Sequence, residues 1–254
     1  MKGGVPLAAT RAIPVLNKNN ETNFQDHSVS MLKKGGMLRA VIMGSPGSGK
    51  GTISSRINKH FDILTLSSGD LLRFNAVQQT PIGVKATKYM EEGQLVPDNI
   101  ITELVLESLE THGQGKHWLL DGFPRTKAQA EALHKASPVN LAINLIVPSD
   151  VIVARIAGRW THISSGRIYN TEFNPPKISG RDDITGEPLS QRVDDQPENV
   201  RRRLDVYMRS MQPVIDFYRE SGILTEFKGT ESNKIWPEVF NFLSEHVQPD
   251  VPLP

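Results

Sequence analysis

Cysteine is absent from all 254 residues. That excludes disulfides, thiolate nucleophiles and cysteine-held zinc, and it suits a reducing compartment. Long apolar runs are missing too: none approaches the roughly 20 residues of a spanning helix, so the chain reads as soluble, with no membrane partner. The third thing lacking is an excess of charge. Lysine and arginine number 29 against 28 aspartates and glutamates, for a formal net charge of +1. The surface as a whole therefore offers no platform for nucleic acid, and any functional positive charge must be local. What remains is a chain 38% hydrophobic, enough to bury a substantial core in one large domain or in a core carrying inserted subdomains.

Residues 1–36 differ from the rest. They hold five basic residues, Lys2, Arg11, Lys18, Lys33 and Lys34, against only Glu21 and Asp26, with many Asn, Gly and Ser and little apolar periodicity. They read as a disordered leader, either an organelle-targeting segment or a plain tail. From Arg39 onward short β-branched runs alternate with helix-period segments, the pattern of an α/β fold on a parallel sheet. Candidate strands are 39–43, 63–66, 117–121, 141–147 and 223–228, and helix-like segments cover 51–60, 98–111, 127–135, 149–159, 197–221 and 234–246. Between Arg159 and Arg192 the alternation stops. That stretch is dense in Gly, Pro, Asp and Ser and has no helical face, so it predicts a small β-rich insertion.

Two motifs carry chemistry. Gly44-Ser-Pro-Gly-Ser-Gly-Lys50-Gly51-Thr52 follows an apolar strand and opens a helix. Its glycines let several backbone N–H groups point inward, the helix adds its positive end, and Lys50 supplies one full charge, which together make a cradle for phosphate oxygens. Thr52 is placed to approach a metal ion. The second motif is Trp118-Leu-Leu-Asp121-Gly-Phe-Pro-Arg125-Thr126. An aspartate closing an apolar strand suits magnesium held through water, and Arg125, after a rigid turn, can grip a phosphate with its planar fork.

GSPGSGKGT at 44–52, LSSGDLLR at 66–73, GQLVPDN at 93–99, LLDGFPRT at 119–126, RIAGR at 155–159, SGRIYNTEFNPPK at 165–177, DDITGEPLSQRVDD at 182–195 and VRRRL at 200–204 resemble the adenylate kinases, within the nucleoside monophosphate kinases. The resemblance spans residues 37–246. It implies a P-loop core with a five-stranded parallel sheet flanked by helices (37–66, 98–158 and 193–248), an inserted helical AMP-binding segment (67–97), a small β-rich lid (159–192) and a C-terminal tail (249–254). By the same likeness Lys50, Arg125, Arg155, Arg159, Arg192 and Arg203 act on the transferred phosphoryl. Gly47, Ser48, Gly49, Lys50, Gly51, Thr52, Arg159, Tyr169 and Ser232 would hold the donor nucleotide. Ser68, Arg73, Gln94, Leu95, Val96, Gly122, Arg125, Gln129, Arg192 and Arg203 would hold AMP, while Asp70 and Asp121 would hold the water shell of Mg²⁺. Of the four arginines around the lid, two lie at its entrance and two at or beyond its exit, so closure is expected to converge them.

Where some relatives place four zinc-binding cysteines, this lid has His162, Ser165, Asp182 and Thr185, which predict a hydrogen-bonded cluster and no zinc. Phe227-Lys-Gly-Thr-Glu-Ser-Asn-Lys-Ile-Trp-Pro237 resembles the mitochondrial GTP:AMP phosphotransferase branch of the family, as does the EFNPPK run. That branch implies GTP or ITP as donor, AMP as acceptor, a monomer and a mitochondrial matrix location. An ATP-dependent adenylate kinase, a cytoplasmic location and a non-catalytic nucleotide-binding protein stay open.

Overall fold

The computed structural model describes residues 36–192 and 195–253, so the leader lies, except for Gly36, outside the described residues. Five strands, β1 (Arg39–Gly44), β2 (Ile63–Ser67), β3 (His117–Asp121), β4 (Leu141–Ile146) and β7 (Leu224–Lys228), form one sheet in the order β2-β3-β1-β4-β7, every pairing parallel. Two short strands, β5 (Arg159–Thr161) and β6 (Ile168–Asn170), pair antiparallel away from it. The helices are α1 (Lys50–His60), α2 (Ser68–Val77), α3 (Pro81–Glu91), α4 (Asp98–His112), α5 (Lys127–Ala136), α6 (Ser149–Ala157), α7 (Pro197–Glu220) and α8 (Ser232–Ser244). Among the described residues no helix is long and apolar enough to cross a membrane.

The central strands are apolar on both faces because helices cover both. In β1, Ala40 and Ile42 join one core cluster with Ile53, Ile57 and Phe240, while Val41 and Met43 join the other with Val105, Leu133 and Tyr218. Truncating a wholly buried member such as Leu119 to alanine is expected to cost about 2–5 kcal/mol. The chain leaves β1 toward β2 on one side and leaves β3 toward β4 on the other. The crevice between their carboxyl ends, where Ile42 pairs with Asp121, is therefore the topological switch point at which ligands of open α/β sheets bind.

Observed and expected boundaries differ where local chemistry intervenes. The helix expected to reach Arg159 stops at Ala157, because Gly158 closes it and Arg159 begins β5. The last helix starts at Ser232 instead of Lys234, since Glu231 O already accepts from the amides of Lys234 and Ile235. The C-terminal tail is strapped to the end of α1: Asp250 and Val251 donate to His60 O, and His60 Nδ1 bonds Val251 O.

Candidate active site

Gly44, which ends β1, and Gly47 and Gly49 in the loop after it all have positive φ. Gly49 has φ of 93°, and a Cβ there would fall 2.4 Å from Ser232 Oγ, so no other residue fits. No side chain caps α1. Its first amides, with the positive end of the helix dipole behind them, therefore face the loop as an anion site. Lys50 Nζ donates across this loop to Gly44 O at 2.6 Å and Ser45 O at 3.0 Å. Burial lowers its pKa to about 8, against the opposing pull of the Asp121 carboxylate.

Lys50, Gly44 and Pro46 form one wall of an open cleft, whose other walls carry Arg73, Gln94, Leu95, Gly122, Arg125, Arg203 and Tyr207. A smaller extension is lined by Ser68, Val96 and Gln129. The expected acceptor residues are thus brought together, Arg192 excepted: it is half-buried just after the β5–β6 arm and does not line the cleft. Gln129, which lines that extension, also serves the turn beside it. It is 2% exposed; its Oε1 accepts from Arg125 N at 2.7 Å and its Nε2 donates to Asp98 Oδ1 at 2.7 Å, so it braces the turn that carries Arg125. Arg125 Nε donates to Gly122 O at 2.7 Å, and Arg73 pairs with Asp70 at 2.5 Å.

Two of the four arginines expected to converge on closure meet in this structure. Arg159 and Arg203 meet on the carboxylate of Asp195, through Arg159 Nη2, Arg159 Nε at 2.7 Å and Arg203 Nη1 at 3.2 Å. Asp195 was not picked out from sequence; the signal was an acid lying between two groups of arginines. Arg155 goes elsewhere. Its Nη1 donates to Gly47 O at 3.2 Å and Ser48 O at 3.1 Å, its Nη2 to Thr230 O at 2.7 Å, and its guanidinium lies 5.4 Å from the centre of the Phe173 ring. It fastens the phosphate loop to the loop after β7.

The donor residues follow the loop. Ser48 is wholly buried and its hydroxyl lies under Gly44, so only its backbone faces an anion. Thr52 is half-buried in the first turn of α1, and Ser232 abuts Gly49. The arm from β5 to Ser190 lies across this loop: a Cβ on Gly51 would sit 3.1 Å from Ile168 Cδ1, and one on Gly166 would sit 3.5 Å from Asp70 Oδ1. Because Ile168 faces the loop, strand alternation turns Tyr169 the other way. Its hydroxyl donates to Asp182 Oδ1 at 2.9 Å and accepts from Asp183 N at 2.9 Å, so the side chain is engaged in the arm's interior.

The arm is held by the expected cluster, enlarged. His162 Nδ1 bonds Ser165 Oγ at 2.7 Å and its Nε2 bonds Glu187 Oε2 at 2.5 Å, while Thr185 Oγ1 donates to Asp182 Oδ2 at 3.0 Å. Arg167 forks onto Asp182 at 2.8 and 2.7 Å. That fork, with the donors from Thr185 and Tyr169, holds the Asp182 carboxyl far below the usual range despite its desolvation. Arg167 and Glu187 had escaped notice because nothing local marks them as partners of residues 5 to 25 positions away.

Magnesium suits the remaining acids. Burial pushes the Asp121 carboxyl up, Lys50 draws it back, the nearby Asp70 charge pushes it further up, and Ser54 Oγ reaches its Oδ2 at 3.4 Å. A divalent cation between these carboxylates would relieve both penalties. Among the described residues no group of three or more His, Cys, Asp or Glu could hold a metal by itself. Two carboxylates with water and substrate phosphates match how Mg²⁺ is commonly bound.

The sequence pattern of the family described as Adenylate kinase matches residues 42–223. A Drosophila melanogaster protein named GTP:AMP phosphotransferase, mitochondrial, is 46% identical over 211 residues, covering 83% of this chain and 97% of its own. A Saccharomyces cerevisiae protein of the same name is 45% identical over 217 residues, covering 82% of this chain and 92% of its own. With the family pattern covering most of the chain and these relatives aligned over nearly their whole length, the protein belongs to the adenylate kinase family.

Proposed function

We propose that the protein transfers the terminal phosphoryl group of GTP to AMP, giving GDP and ADP. One observation carries the reading: Lys50, which ends the phosphate loop, lines the same cleft as Arg73, Arg125 and Arg203, so a donor site and an acceptor site meet at one charge. The names of the relatives support GTP as donor and a mitochondrial location, which we place in the matrix. Residues 67–97 are assigned to AMP binding, 159–192 to the lid, 37–66, 98–158 and 193–248 to the core, and the protein acts as a monomer.

The AMP phosphate is already anionic, so no general base is required. Its oxygen attacks the terminal phosphorus; the bond to the bridging oxygen breaks, and GDP leaves with that electron pair. Catalysis therefore reduces to alignment and charge neutralisation. Lys50 and the α1 amides hold the donor phosphates, Arg73 and Arg125 hold AMP, and Arg159 and Arg203 exchange Asp195 for the oxygens in flight. Asp70 and Asp121 would hold Mg²⁺ through water, and the ion would supply further charge neutralisation on the donor phosphates. Water competes as acceptor, and the arm lying across the phosphate loop excludes it.

Lys50→Met tests the mechanism. Transfer is expected to fall by at least about a hundredfold, the loss typical when a donor to developing charge is removed. Turnover at the parent rate would overturn it.

A further inference from the structure

Arg202 lies in the second turn of α7 and is not on the cleft wall. Its guanidinium reaches out to the helical insertion, where Nη1 donates to Glu92 O at 2.8 Å across 110 residues of sequence. Glu92 closes α3. Carbonyls at the end of a helix have no partner within it and collect the negative end of its dipole. A guanidinium from elsewhere in the chain supplies both the hydrogen bond and the matching charge. Its other contact, to the exposed Glu198 Oε1 at 3.4 Å, is a surface pair of little worth.

The next residue makes the approach possible. Gly93 has φ of +67°, and a Cβ there would sit 3.2 Å from Arg203 Cγ and 3.3 Å from Asn199 O, so the turn lies tight against α7. Gln94 N then bonds back to Tyr89 O at 2.8 Å, and Gln94 and Leu95 line the cleft.

We propose that Arg202 is a positioning residue that clasps the AMP-binding segment to α7. By capping α3 from outside, it fixes the 93–96 turn in the shape the acceptor nucleotide needs and sets that turn beside Arg203, which reaches the phosphate-binding arginines through Asp195. Without the clasp, the cost of ordering the segment is taken from acceptor binding. The inference rests on the acceptor reading above, and its test separates the two.

The test compares the full chain with Arg202→Ala and Arg202→Lys. Initial rates give kcat and both KM values, and amide hydrogen exchange without nucleotide reports on residues 92–96. Loss of one charge-assisted hydrogen bond is expected to raise the KM for AMP about tenfold in the alanine variant, with kcat and the KM for GTP within about twofold. Faster exchange is expected at the amides of Gly93 and Gln94. The lysine variant should recover part of both effects, because an ammonium can donate to the same carbonyl. The Arg202 side chain is 41% exposed, so the variants are expected to fold, and Gly93→Ala should reproduce both effects from the other side of the contact. Unchanged exchange in the alanine variant would overturn the clasp, as would a fall in kcat with the KM for AMP unmoved, which would make Arg202 a partner in phosphoryl transfer. The exchange comparison needs no turnover, so a parent chain that failed to phosphorylate AMP would defeat the acceptor reading while leaving the clasp to be decided by exchange.

Discussion

Replacing Arg155 with alanine removes three hydrogen bonds at once, to Gly47 O, Ser48 O and Thr230 O, together with the stack on Phe173. Each bond from a charged donor contributes about 1.5–3 kcal/mol when isolated, but the three share one guanidinium and do not add, so a net loss of about 2–3 kcal/mol is expected. For a chain of this size that lowers Tm by about 4–12 °C. The kinetic consequence follows from what the side chain holds. It touches the backs of the phosphate loop and of the loop after β7, so its loss disorders the donor cradle before chemistry begins. The KM for the donor should rise at least about tenfold, with kcat falling less than that. Arg155→Lys should recover part of the stability, since an ammonium reaches one or two of the same carbonyls but lacks the planar fork. The assay is initial rates against donor concentration, paired with thermal unfolding. A fall in kcat of about a hundredfold or more, with Tm and donor KM unmoved, would refute the reasoning and return Arg155 to the transferred phosphoryl.

Two further outcomes follow from the electrostatics. The Lys50 ammonium, with its pKa lowered to about 8, loses its proton as pH rises, so kcat/KM for the donor should fall above pH about 8, and a flat profile to pH 10 would contradict that. Between about 8 and the ordinary 10.5 the unfolded chain holds a proton that the folded chain lacks, so this group makes stability rise with pH in the same window, which urea titrations at several pH values would detect. Asp182→Asn removes the charge on which Arg167, Tyr169 and Thr185 converge. Limited proteolysis should then cut within 160–190 faster while the sheet stays intact, and unchanged cleavage would show that the arm is held by other contacts.

The core was legible because β1, β3 and β4 are short apolar runs bounded by Gly, Pro or Asp and buried on both faces; their predicted and observed spans differ by a residue at most. The phosphate loop was legible because glycine spacing, lysine and helix start all fall within a few residues. What escaped depends on which way a side chain turns. Arg155 sits in the last turn of α6, and sequence spacing does not tell that this turn packs on the phosphate loop, which leaves the arginine only 8% exposed. The inward turn of the Tyr169 side chain was legible in principle: once Ile168 faces the loop after β1, the neighbouring strand residue has to face away. Asp195 meets Arg159 across 36 residues, Gln129 meets Asp98 across 31 and Arg202 meets Glu92 across 110, gaps over which only the fold brings partners together.

The central claim is transfer from GTP to AMP, and the most direct measurement is initial rates with the purified protein, Mg²⁺ and GTP, ITP or ATP at equal concentration, with AMP, CMP or UMP as acceptor and both products quantified. The account predicts equal amounts of GDP and ADP, faster turnover with GTP and ITP than with ATP, and AMP as the preferred acceptor. A preference for ATP would contradict the donor assignment, and no transfer with any pair would contradict the claim itself.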